Sequence, residues 1–303
     1  SLLVAATLTA CANHPLPIMK TASNPLLQPS PLPYEYPPFD RIKPDHFMPA
    51  FEVGMEESLE QVDTIASQSE APTFDNTIVA LEKSGRTLDR VQTVFYNLVG
   101  THGTEALQAI DETISPQLAA HRDKIFLNTK LFERIDTLYR ERGSLGLDAE
   151  ASRLLERYHV SFVRAGARLG ADDQQRLREI NTELSRLTTQ FQQNLLKHTN
   201  ELAVVVDDPA QLAGLSESAI EAAAATAKSR GVDGYVLTLQ LPTLQPQLAE
   251  LENRALRERL HRASIQRGNT DGTLDNRPVL QAIVALRAER ARLLGYDTHA
   301  DYV

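Results

Sequence analysis

Tryptophan is absent from this 303-residue chain, and aromatic residues make up only 6% of it. Cysteine occurs once, at Cys11, which excludes an internal disulfide and a thiolate zinc cluster alike. No run approaches the ~18 consecutive apolar residues of a membrane-spanning helix. Cations are in the minority: 31 Lys and Arg face 40 Asp and Glu, for a formal net charge of −9. With no basic block either, a nucleic-acid partner is not expected, because phosphate contacts need clustered Lys and Arg. The Gly-x-Ser-x-Gly elbow, the Gly-x-x-x-x-Gly-Lys-Ser/Thr loop and the Gly-x-Gly-x-x-Gly turn are all missing. Those absences remove a serine nucleophile motif and leave nucleotide binding without a foothold.

What remains is a globular composition, 42% apolar and 23% charged, able to fill a core. The length fits two ordinary domains or one elongated helical domain. At the N-terminus, the short apolar run Leu2–Leu8 leads into Leu8-Thr9-Ala10-Cys11. The run suits a secretory h-region, and Leu-Thr-Ala-Cys resembles a bacterial lipobox with Cys11 as the lipidated residue. Residues 1–11 therefore read as signal peptide and lipobox, and two or more acyl chains would give stable anchoring. The location expected is periplasmic and membrane-anchored, with a cytoplasmic location as the alternative. The first residue is Ser1 and the last segment reads as a helix start cut short, so a piece of a longer chain is expected at both ends.

Residues 12–38 hold eight of the 16 prolines. Proline fixes φ and removes a donor, so this stretch reads as an extended linker, reaching roughly 80 Å at most. A strap along the body is the equal alternative for its second half.

From residue 39 to 303 the dominant period is helical. A start at Pro44-Asp45 precedes the face Phe47, Phe51, Met55 and Leu59. Asp75 or Asn76 is the expected cap of a helix carrying Ile78, Leu81, Leu88, Val91, Phe95 and Leu98. Further helices are expected across Pro116, around Leu131–Tyr139 and around Leu154–Val163. The clearest runs from Asp172 to about His198, where Leu177, Ile180, Leu184, Leu187, Phe191 and Leu195 form one stripe. Two β-branched runs, 202–206 and 235–241, read as strands. A lone two-stranded ribbon is marginal in water, so further strands are expected from elsewhere. Helices return over 216–229, 248–265 and 278–294. The fold class is mainly α with this short β segment.

The eight histidines give no metal motif. None is followed directly by Glu, and no two are four apart, as a helical zinc-hydrolase site requires. His102 with Glu105 and His198 with Glu201 are the nearest approaches, and each is an ordinary i, i+3 contact. Glu56-Glu57, Asp172-Asp173 and Asp207-Asp208 read as helix-start and turn residues. The Arg-rich stretches 254–262 and 287–292, interleaved with Glu258 and Glu289, read as a salt-bridged face ahead of a carboxylate-binding groove. No catalytic and no metal-binding residue is expected in this chain.

Five ordered segments carry a family likeness: Pro38–Phe51, Asp75–Gly85, Glu183–Phe191, Tyr235–Thr243 and Leu286–Tyr296. Together they resemble the bacterial peptidyl-dipeptidases of the Dcp type, in the thimet oligopeptidase family of zinc metallopeptidases. The resemblance runs from about Pro38 to Val303 and implies the multi-helical N-terminal half of a neurolysin-like fold. It implies an enzyme that releases C-terminal dipeptides from oligopeptides, with zinc in the full-length protein. In that family the ligands lie on a His-Glu-x-x-His helix and a downstream Glu, and neither is found here. The fragment itself is expected to bind no zinc, to be inactive and to be a monomer. The alternatives are an oligopeptidase of the same family that cuts internally and a non-enzymatic helical lipoprotein.

Overall fold

The computed structural model describes residues 24–303. The lipobox with Cys11 and residues 12–23 of the proline-rich stretch lie outside the described residues. After short 3-10 turns at Pro25–Leu27, Pro33–Glu35 and Pro44–His46 come α1 (Phe47–Ala66), a π-helical turn (Phe74–Val79) and α2 (Ala80–Glu82). Then follow α3 (Arg86–His102), α4 (Glu105–Phe126), α5 (Thr129–Glu141), α6 (Ala149–Arg164) and α7 (Ala171–Glu201). Strand β1 (Val204–Val206), α8 (Glu217–Ser229) and β2 (Tyr235–Leu237) lead to α9 (Leu241–Glu250), α10 (Arg254–Ile265), α11 (Arg277–Leu293) and α12 (His299–Tyr302). The mainly helical class is as expected.

The chain divides into two compact units, and the division falls inside α4 and α6. The first unit runs to Ile110 and adds Asn128–His159. Its centre holds Phe47, Phe51 and Phe95, with Phe95 edge-on to the other two at 5.0 and 5.2 Å. Edge-to-face pairs of this kind add to the area they bury. Gly54 lets α1 and α3 approach closely, since a Cβ there would lie 3.0 Å from the backbone of Leu88. Residues 24–38 lie against this unit. Leu26 is buried, Asn24 Nδ2 donates to the His46 carbonyl at 2.8 Å, and Arg90 Nε donates to the Leu26 carbonyl at 3.0 Å.

Two local readings in this unit change. The cap before Ile78 is Thr73, whose Oγ1 accepts from Asn76 N at 3.1 Å while Asn76 Oδ1 accepts from Thr73 N at 2.8 Å. Asn76 is thus the third residue of a capping box. The helix expected from there to Leu98 is also broken, because Gly85 adopts φ 72° and restarts the chain as α3.

In the second unit, Asp111–Leu127 and Val160–Val303, α7 is the longest element at 31 residues. Its stripe of Ile180, Leu184 and Leu187 packs against Val279 and Ile283 of α11. Beyond α7, β1 and β2 pair antiparallel with Val205 opposite Val236. Both strands are shorter than expected. Leu202 still donates to His198 O as the end of α7, and Pro242 sits in the first turn of α9, where a missing N–H is tolerated. Among the described residues, helices and not additional strands cover this ribbon: Val204, Val206 and Leu237 share a core with Ala223 of α8, Leu244 of α9, and Leu256 and Leu260 of α10. The helix expected over 248–265 is two, divided where Asn253 Oδ1 caps α10 by accepting from Leu256 N at 3.0 Å.

Candidate functional site

The imidazoles fall into distinct environments. His198 is buried on α7; its Nδ1 accepts from Gly268 N at 2.8 Å and its Nε2 lies 3.2 Å from Thr270 Oγ1. Both ring nitrogens are therefore used to hold the loop before α11. His102 ends α3 and Glu105 begins α4, with the break at Gly103 between them, so the expected helical contact does not form. In the first unit, buried His159 pairs with Asp136 at 3.0 Å and stacks on Tyr139 at 3.8 Å. Burial alone would raise the Asp136 carboxyl, but hydrogen bonds from His159 and Arg140 outweigh it and hold it below its ordinary value. His121 is buried on α4 with neither ring nitrogen hydrogen-bonded, and burial, aided by Lys124, lowers its pKa.

Among the described residues, no group of three or more His, Cys, Asp or Glu is placed to hold a metal ion. Zinc, implied by the family likeness, does not fit these side chains: His198 is spent on the loop, and His102 and Glu105 sit on separate helices. The paired carboxylates are equally unlike a dyad. Glu56 and Glu57 are exposed on α1, Asp172 and Asp173 occupy the first turn of α7, and Asp208 caps a 3-10 turn.

The arginine-rich stretches separate into three roles. Arg262 pairs with Glu258 at 2.8 Å, and Arg176 forks onto Glu289 at 2.7 and 3.0 Å, as a salt-bridged face would. Arg254 and Arg257, with Leu248, Glu258 and His261, line an open groove of about 480 Å³. Arg290 turns inward.

That inward turn builds the candidate site. Asn181 Nδ2 donates to both oxygens of Asp123, at 2.9 and 3.1 Å, and Arg290 Nη1 donates to Asn181 Oδ1 at 3.4 Å. The Arg290 Nε is buried without a partner, and its guanidinium lies 5.3 Å over the Tyr302 ring, which Arg164 also covers at 4.9 Å. Burial drives the Asp123 carboxyl up to about 6, against the Asn181 hydrogen bonds and the charges of Arg178, Arg122 and Arg290. The same burial lowers the Arg290 pKa. The cluster ties α4, α7 and α11 together and can take up one proton near pH 6. Enclosed by Asn181, its carboxylate serves as a tie whose charge responds to pH.

These residues carry no motif. The available signal was polar residues at core positions: Leu107, Asp111, Ile114, Leu118 and His121 step along α4 by four and three. Asp123 and Arg290 break no such pattern and were not legible as a pair.

Comparison with known proteins finds similarity to peptidases. The chain is 43% identical over 281 residues to a dipeptidyl carboxypeptidase of Escherichia coli (strain K12). Residues 247–303 match Peptidase family M3. The M3 match takes in α10, α11 and the Arg290 cluster's C-terminal side. The likeness to Dcp-type peptidyl-dipeptidases read from the sequence agrees with this relative, whose match extends over 92% of the chain. Similarity extends at 32% identity to oligopeptidase A of the same E. coli strain and at 28% to an organellar oligopeptidase A of Arabidopsis thaliana, in each case over 92% of this chain. The chain spans 41% of the length of the dipeptidyl carboxypeptidase and of the bacterial oligopeptidase A, and 36% of the plant protein.

Proposed function

We propose that this chain is the N-terminal part of a zinc peptidyl-dipeptidase that releases C-terminal dipeptides from oligopeptides. The observation that carries the reading is the 43% identity to dipeptidyl carboxypeptidase, against 32% to oligopeptidase A over nearly the same span. Internal cleavage, as an oligopeptidase of the same family, is the second reading and is supported by the latter match. Zinc and its ligands belong to the part of such a protein that this chain does not include. On its own the chain binds no zinc and hydrolyses nothing. The protein is a monomer, lipidated at Cys11 and held at a membrane on the periplasmic side; the Leu-Thr-Ala-Cys pattern supports the anchor.

The test has two arms. The reading frame is followed past Val303, where a His-Glu-x-x-His helix is expected, and the longer product is assayed for chelator-sensitive dipeptide release. A stop codon at this point would leave a non-enzymatic helical lipoprotein as the better description. Chelator-sensitive release of dipeptides by the 303-residue chain alone would overturn the claim that it is inactive. For the anchor, Cys11→Ser is expected to abolish acylation, and unchanged membrane fractionation of that variant counts against it.

A further inference from the structure

Helix α10 puts four arginines and one glutamate into 12 residues of a chain whose net charge is −9. Its first turn holds Arg254 and Arg257 and no acid. Cations there oppose the helix dipole, and a helix start ordinarily favours Asp or Glu. Where a sequence breaks a local rule of this kind, a functional site is the first place to look.

The partners of these charges decide which of them are free for a ligand. Arg259 Nη2 donates to Val205 O at 3.0 Å, and Arg262 pairs with Glu258 at 2.8 Å. Arg257 Nη1 donates to the carbonyls of Leu251 and Glu252, the latter at 3.0 Å. One end of that guanidinium is therefore held, while among the described residues its Nε and Nη2 make no hydrogen bond. Arg254 and His261 are exposed and, among the described residues, have neither ion pair nor hydrogen bond.

Arg254, Arg257, Glu258 and His261 share one face of α10 and, with Leu248 of α9, line the groove of about 480 Å³. Glu258 is the one acid on that lining, and Arg262 offsets it. The neighbouring acids, Glu250 and Glu252, pair with neither arginine and do not line the groove. The lining is thus net cationic. Its size falls within the ~300–1,000 Å³ of ligand clefts.

Two guanidinium forks match the planar oxygens of a carboxylate, and an imidazole N–H adds a third donor. Leu248 supplies an apolar contact for the carbon atoms that carry such a group. We propose that this groove binds a peptide carboxylate, from an acidic side chain or a free C-terminus, seated on Arg254 and Arg257. The peptidase reading supplies only the peptide as carrier; the charge and the volume stand without it.

The test titrates the isotope-labelled 303-residue chain with three short peptides and follows the Nε–Hε NMR signals of its arginines. One peptide carries two Glu and is blocked at both ends. The second is its Gln counterpart, blocked likewise, and the third is that Gln peptide with a free C-terminus. The first or the third is expected to shift Arg254 and Arg257 with a Kd of about 1 mM or below, and the tighter of the two identifies the source of the carboxylate. The blocked Gln peptide is expected to bind at least roughly tenfold more weakly. Arg254→Gln, at an exposed position, is expected to weaken binding by about the same factor. Arg287→Gln, which removes an equal charge from the exposed face of α11, is expected to leave it unchanged.

The proposal is overturned if neither carboxylate peptide binds more tightly than the blocked Gln peptide. Equal losses in Arg254→Gln and Arg287→Gln overturn it too, as does inorganic phosphate shifting the same signals as strongly at equal concentration, since either marks general counter-ion attraction. Dipeptide release by the longer product with no carboxylate binding here sinks the groove and leaves the enzyme reading intact. Carboxylate binding by a chain whose frame stops at Val303 does the reverse.

Discussion

Asn181 Nδ2 donates to both oxygens of one carboxylate, that of Asp123, at 2.9 and 3.1 Å. Even so, the carboxyl stays near 6, because burial outweighs these bonds and the arginines around it. In the unfolded chain the same group titrates near 3.9.

A carboxyl whose pKa is raised by folding binds its proton more tightly in the native state. Native stability therefore falls as pH rises from about 4 to about 6, and the full penalty, up to roughly 3 kcal/mol, persists above that window. Asp123→Asn removes the titration. The variant is expected to be more stable than the parent at pH 7.5 and closer to it at pH 4.5, read by urea unfolding at both values. An unchanged difference across the two pH values would show that Asp123 does not carry the effect.

His159 and Asp136 form the opposite case in the first unit, a buried pair whose carboxyl is held low. Replacing the imidazole by His159→Ala leaves Asp136 buried with Arg140 and removes the stack on Tyr139. A loss of about 2–3 kcal/mol is expected from chemical denaturation. A loss below about 0.5 kcal/mol, the scale of an ordinary surface change, would mean the pair is not a structural tie.

Glycine provides a paired comparison. At Gly54 a Cβ would stand 3.0 Å from Leu88 backbone atoms, so Gly54→Ala is expected to push α1 from α3 and cost about 1–3 kcal/mol despite better helix propensity. At Gly100, inside α3, a Cβ meets nothing within 4 Å, and Gly100→Ala is expected to add about 0.5–1 kcal/mol. Thermal melting of the two variants checks both signs, and a shared sign would refute the close-approach argument.

The loop before α11 hangs on His198. With His198→Ala, the Gly268 amide loses its acceptor and Thr270 loses its contact. Hydrogen exchange at Gly268 is expected to speed up by at least roughly tenfold, while the helical amides of α8 keep their protection. Zinc content, measured on both proteins by elemental analysis, is expected to be unchanged by the substitution. Slow exchange at Gly268 in the variant would place its protection elsewhere.

Helix α7 could be read from residue spacing alone. Its stripe of Ile180, Leu184 and Leu187 is the one that packs on α11, since a three-four repeat has only one way to bury itself. The two strands were legible as β-branched runs, but their ends were not: Leu202 and Leu241 suit a strand by propensity, and each is drawn into a neighbouring helix. The cap at Thr73 was misplaced by two or three residues because Thr, Asp and Asn lie close together there and several can accept the same kind of hydrogen bond. Arg290 looked like one more cation on an exposed face alongside Arg287 and Arg292.

Composition, periodicity and the ordered segments thus determined the helical class, the placement of the long helices and the likeness to Dcp-type peptidyl-dipeptidases, because each depends on contacts within a few residues or on the plain order of the chain. The tertiary structure decided which ionisable groups are enclosed. Asp123 meets Asn181 across 58 positions and Arg290 meets Asn181 across 109, and no local pattern encodes a pairing at such range; only packing takes water away from those groups and shifts their charge.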